Sequence, residues 1–131
     1  MAKQAYSPDD LPEKMYSHAI VSEGSFNMAG QVAADADGNI VGDDLETQTR
    51  KVFENIGVLL DEAGKDFDDV AKVTVYIVGE QDSLDGYSRV YEEVFDDPYP
   101  CQTVLGTRSI SDSGVLIEIE VDVLMGEHSR L

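Results

Sequence analysis

Two stretches of this chain alternate strictly between apolar and polar side chains, and they constrain its fold more than any other feature. Within residues 71–78, Val73, Val75 and Ile77 point one way, and Lys72, Thr74 and Tyr76 the other. Within residues 115–125, Ile117, Ile119, Val121, Val123 and Met125 share one face, and Glu118, Glu120 and Asp122 the opposite one. Successive strand side chains project to opposite faces of a sheet, so each stretch reads as a strand with one face against a core. The rest must supply what packs on that face.

Residues 43–64 supply the clearest such element. Leu45, Thr49, Val52, Phe53, Ile56, Leu59, Leu60 and Ala63 fall on one helical face. Asp43 is positioned as an N-cap, with Glu46 three residues on, and Gly64 as the stop. A second helix is expected over 82–95, with Leu84, Tyr87, Tyr91, Val94 and Phe95 as its stripe, ended before Pro98. Shorter strands are expected at 16–21 and 25–30, separated by the Glu23-Gly24 turn, and at 101–107. Residues 1–13 read as an irregular arm. The resulting order is ββαβαββ: an α+β fold, a mixed sheet with two helices on one face, in one domain spanning 1–131. Two helices cover a single face of such a sheet. The uncovered face mixes Leu and Tyr with carboxylates, which points to an oligomer interface or a pocket wall.

The chain holds 27 Asp and Glu against 9 Lys and Arg, a formal net charge of −18. Nucleic-acid binding draws on cations that displace counterions from phosphates, and no basic stripe exists here, so such a partner is disfavoured. A halophilic, salt-rich cytoplasm would screen the self-repulsion. Cys101 is the one cysteine, which fits a reducing compartment. The first residues contain no apolar core of a signal peptide, and no apolar run reaches the ~18 residues of a membrane span. The expectation is a cytoplasmic protein with no membrane partner. His18 and His128 have no Cys or His companions at metal-ligand spacing, so no metal is expected. The acidic stretch 35–43 lacks the ligand order of a calcium loop. No phosphate loop, dinucleotide fingerprint or nucleophile elbow is present.

Several segments, in order, resemble the RidA (YjgF-type) family, also called the endoribonuclease L-PSP family. Gly30-Gln31 looks like that family's strand-ending Ser-Gly-Gln. Residues 44–50, Asp-Leu-Glu-Thr-Gln-Thr-Arg, are similar to its helix-opening Ile-Glu-x-Gln-x-Arg, followed by Phe53-Glu54-Asn55-Ile56. Residues 69–76, 91–95 and 115–120 also match. The resemblance implies a chorismate-mutase-like fold and a homotrimer whose sheets form a central β-barrel, with small-molecule clefts between subunits. It implies hydrolysis of enamines and imines to carbonyl compounds and ammonia, without a cofactor. In the family a glutamate on the last strand orients water or stabilises the cationic imine, and a tyrosine and a glycine complete the cleft. Carried over, these are Glu118, Tyr16 and Gly30 as candidate catalytic and substrate-binding residues. Each has a plainer reading. Glu118 could be a solvated strand residue, Tyr16 an interface aromatic, and Gly30 a backbone requirement at a strand end.

One departure stands out. The family's Pro-Ala-Arg-Ser/Thr reads Pro100-Cys101-Gln102-Thr103 here, so Gln102 stands where an arginine pairs with the substrate carboxylate. A neutral amide replaces a bidentate cation, which implies an altered substrate with a neutral amide or carbonyl. Arg108 shares the strand parity of Gln102 but lies too far along the strand to replace it, and reads as a surface ion pair. Ser88 stands where relatives place a polar cleft residue. Cys101 reads as a buried structural cysteine. Beside the hydrolase stand a non-catalytic small-molecule-binding or chaperone-like trimer and, disfavoured by the charge, an endoribonuclease.

Overall fold

A computed structural model describes residues 3–79, 84–111 and 113–126. Its elements are strands β1 (Gln4–Tyr6), β2 (Ala19–Ser22) and β3 (Ser25–Met28), helix α1 (Leu45–Glu62), β4 (Val70–Val78), helix α2 (Asp85–Val94), β5 (Cys101–Thr107) and β6 (Ile117–Val123). They form a six-stranded sheet in the order β1-β2-β3-β6-β4-β5. The β4–β5 pair is parallel and the others antiparallel, so the sheet is mixed. The α+β class with two helices follows the sequence pattern.

The alternation in β4 and β6 becomes the core. Val73, Val75, Ile77, Ile117, Ile119 and Val121 are all buried, and they cluster with Val52, Phe53, Ile56, Leu59 and Leu60 of α1 and Val90 of α2. Between β2 and β3, Gly24 takes a left-handed φ of 82°, which allows a two-residue turn. After α1, Gly64 at φ 72° lets the Lys65 amide donate to the Leu60 carbonyl at 2.8 Å. That is a Schellman closure of the helix.

Several boundaries differ from the sequence reading. A short β1 forms within the stretch expected to be irregular, because Gln4–Tyr6 pairs with the otherwise open edge of β2. The helix cap is Asp44, not Asp43: its carboxylate accepts from the Thr47 amide at 2.8 Å and the Thr47 hydroxyl at 3.0 Å. Tyr16 and His18 precede β2 rather than belonging to it, and β3 ends at Met28. The described part of the second helix begins at Asp85. The expected residues 82 and 83, like His128, lie outside the described residues. Cys101 is exposed, not buried, because it sits on the uncovered face of an edge strand beside Lys72.

Candidate functional site

Gly30 and Glu118 meet because a bridge forces them together. The Gln31 amide donates to the Ile119 carbonyl at 2.9 Å, and the Ile119 amide to the Gln31 carbonyl at 3.0 Å. That exchange lays the segment after β3 alongside β6. A Cβ on Gly30 would overlap the Glu118 carboxylate and stand 3.0 Å from its Cδ. A side chain at Gly30 would therefore push the Glu118 carboxylate aside, while the backbone there is not left-handed.

The arm before β2 closes the other side. His18 is buried; its Nε2 is 2.7 Å from the Pro12 carbonyl and its Nδ1 3.3 Å from Gln31 Nε2. Gln31 Nε2 also donates to the Ala29 carbonyl at 3.0 Å. A side-chain amide nitrogen only donates, so Nδ1 accepts and Nε2–H donates to Pro12. This relay ties the arm to the strand end and sets Tyr16 edge-on to His18, ring centroids 5.8 Å apart. Lys14, Tyr16, His18, Gly30, Gln31 and Glu118 all line one cavity of about 60 Å³. It has room for a few waters, well short of the roughly 300 Å³ at which small-ligand pockets begin.

Glu118 is half-buried there. Burial, and then the Glu120 carboxylate on the same face, push its pKa above the ordinary value. Both effects disfavour the charged form. Tyr76, opposite Glu118 on β4, hydrogen-bonds Glu120, which raises the phenol's pKa in turn.

Gln102 and Ser88 are elsewhere. Gln102 pairs with Val73 in the β4–β5 register, and Glu118 with Tyr76, so the two side chains leave opposite faces of the sheet. Gln102 Oε1 accepts a 2.6 Å hydrogen bond from the Tyr87 hydroxyl on α2. Burial holds the Tyr87 phenol well above its usual pKa, so it stays protonated as the donor. Ser88 is exposed, next to Tyr87 on α2. Arg108 lies just past β5 and makes no ion pair among the described residues. One chain thus gathers Tyr16, Gly30 and Glu118, and keeps Gln102 and Ser88 at another edge.

The sequence profile of the family described as Endoribonuclease L-PSP matches residues 8–125. The chain belongs to this RidA/YjgF/L-PSP family. It is 39% identical over 121 residues to a RutC family protein of Pyrococcus horikoshii, covering 90% of this chain and 94% of that one. A Rid-family protein of Yersinia pestis superposes with a TM-score of 0.81 at 30% identity, over 95% of this chain and 100% of the other. The human 2-iminobutanoate/2-iminopropanoate deaminase is 26% identical over 112 residues, 85% of this chain and 80% of that protein.

Other parts of the family pattern hold the RidA scaffold together. Gln48, fully buried, donates to the Gly42 carbonyl at 3.0 Å and the Gly114 carbonyl at 2.7 Å, and accepts from the Leu116 amide at 2.9 Å. Asn55 donates to the Val32 and Ala34 carbonyls at 3.2 and 2.9 Å. Arg50 and Arg89 tie α1 to α2 through Glu93 and Glu46. The sequence reading missed His18, Gln31 and Lys14 as cavity residues. His18 offered one signal: a histidine two residues after Tyr16, just before an apolar strand.

Proposed function

We propose that this protein hydrolyses reactive imines or enamines to carbonyl compounds and ammonia, in clefts between neighbouring copies of the chain. The observation that carries this reading is the Glu118 carboxylate, half-buried with a raised pKa in a water-sized cavity beside Gly30 and Tyr16. A carboxyl poised nearer neutrality suits general acid–base work. Water attacks the protonated imine carbon, with Glu118 orienting it and taking its proton. Glu118 returns that proton to the nitrogen of the resulting carbinolamine. The carbon–nitrogen bond then breaks as the hydroxyl becomes a carbonyl and gives its proton to the Glu118 carboxylate, and nitrogen leaves as ammonia. Tyr16 and the Gly30 backbone position the substrate. The name of the human relative supports the same chemistry.

The cavity is too small for such a substrate within one chain, and the remaining candidates sit on the opposite face at another edge. Both points favour completion of the cleft by a neighbouring copy. The family resemblance implies the form this takes: a homotrimer with sheets around a central barrel, the β5–α2 edge of one copy completing the cleft of the next. There Gln102 presents its amide N–H groups, with Oε1 occupied by Tyr87. At that position a neutral carbonyl on the ligand is favoured, and Ser88 lines the same edge. The charge of −18 favours a salt-rich cytoplasm and disfavours the ribonuclease reading.

Ammonia and keto-acid release from freshly generated 2-iminopropanoate in high salt, with native protein, Glu118→Gln and Gln102→Arg, tests the proposal. Release that collapses in Glu118→Gln supports it. Activity that appears only with Gln102→Arg means an intact cleft serving another ligand. Gln102 also favours a second reading, a binder without turnover. That requires ligand-dependent thermal stabilisation and no ammonia from any imine.

A further inference from the structure

Basic side chains are scarce here, 9 against 27 acidic ones. Among the described residues, Arg50, Lys51 and Arg89 are held in ion pairs with Glu46, Glu54 and Glu93. Lys14 makes none. The exposed Lys14 nevertheless lines the cavity that holds Glu118, and among the described residues it is the one Lys or Arg on that lining.

Lys14 also lines a broader groove of about 660 Å³ folded into the arm, residues 7–17, which shares Pro12, Lys14 and Tyr16 with the small cavity. Lys14 therefore stands where the two spaces meet. Asp9 and Glu13 border the groove, whereas Glu118 is the one acid among the described residues lining the small cavity, so an anion meets fewer like charges there. The arm is not loose there. Leu11 is buried, and the Pro12 carbonyl is held by His18 at 2.7 Å, two residues from Lys14.

Lys14 and Glu118 line one cavity with no ion pair between them, and once a neighbouring copy enlarges that cavity into a cleft, the two fit a ligand that carries both charges. A protonated 2-imino acid is such a ligand, with a cationic imine carbon bonded directly to a carboxylate. We propose that Lys14 receives the substrate carboxylate while the iminium faces Glu118, so that the anion-binding cation has moved from β5 to the arm. This rests on the hydrolase reading and adds the residue that selects for acidic substrates. A point charge on a flexible stem replaces a planar fork, so the carboxylate is attracted but less strictly oriented.

The test separates binding from turnover. KM and kcat for 2-iminopropanoate, and calorimetric binding of its product analogue 2-oxobutanoate, are measured for native protein, Lys14→Gln, Lys14→Arg and Lys14→Gln/Gln102→Arg. The expected result is a KM and a 2-oxobutanoate Kd raised at least about tenfold in Lys14→Gln. Changes in kcat are smaller, Lys14→Arg recovers most of the loss, and the double variant regains affinity. Unchanged KM and Kd in Lys14→Gln overturn the assignment and leave the hydrolase reading standing. Lys14-dependent binding of 2-oxobutanoate without imine turnover overturns hydrolysis and keeps Lys14 as the anion site. A native protein that neither binds the keto acid nor turns over the imine overturns both.

Discussion

The two faces of β6 are seven residues of one strand put to opposite uses. On the covered face Ile117, Ile119 and Val121 are buried against the helices, with little to tell them apart. On the open face Glu118 and Glu120 are the same residue type two positions apart, yet their surroundings differ. Glu118 is half-buried against the space Gly30 leaves, with its pKa raised. Glu120 is exposed and hydrogen-bonded by Tyr76. On a core face the side-chain class decides what a residue does; on an open face its neighbours decide.

The sharpest way to break that contrast is to remove each charge in turn. Glu118→Gln is expected to lower imine hydrolysis by on the order of 10²–10⁴, and Glu120→Gln by less than about threefold, the usual indifference of exposed sites. Equal losses in a steady-state ammonia assay would put the two glutamates on one footing. Next in size is the covered face. Ile119→Ala should cost about 2–5 kcal/mol in urea denaturation, through lost burial and the cavity left behind.

Gly30→Ala sharpens the comparison from the partner side. The added methyl displaces the Glu118 carboxylate, and turnover should fall on the order of ten- to a hundredfold while the melting temperature moves little. The smallest effect concerns stability. A carboxyl whose folded pKa is raised holds its proton to higher pH in the native state than in the unfolded one. Stability is therefore lost as pH rises through that window. Glu118→Gln should raise the melting temperature slightly above the folded pKa, and the gain should vanish below the unfolded value. A melting series across pH checks both sign and window.

How much of this was legible in the sequence follows the same division. The aliphatic alternation of β4 and β6, the α1 stripe and the Gly64 stop all rest on local periodicity and backbone preference, and they appear in place. Asp43 and Asp44 are adjacent candidates of one chemistry, and only the bond from Thr47 chooses between them. The β1 strand exists because an edge was free to pair, which no local pattern announces. Within the candidate site, Glu118, Gly30 and Tyr16 came from family resemblance. The group that a side chain at Gly30 would displace lies on β6, far along the chain. Lys14 gave no signal, because a lone lysine in an arm reads as solvated until the groups around it are known.

The strand order carries a consequence for how the chain is made. In the sequence β1-β2-β3-β6-β4-β5, the last strand to be synthesised is the one that joins the two halves of the sheet. Until residues 117–123 leave the ribosome, the β1–β3 meander and the β4–β5 pair are separate pieces. Each then presents a bare strand edge and an uncovered part of the core. At about 5–20 residues per second, the interval between finishing β4 and β6 lasts seconds. Through those seconds neighbouring nascent chains can pair edge to edge. Polysome spacing and chaperone access should therefore set the yield of this protein as firmly as its final stability does.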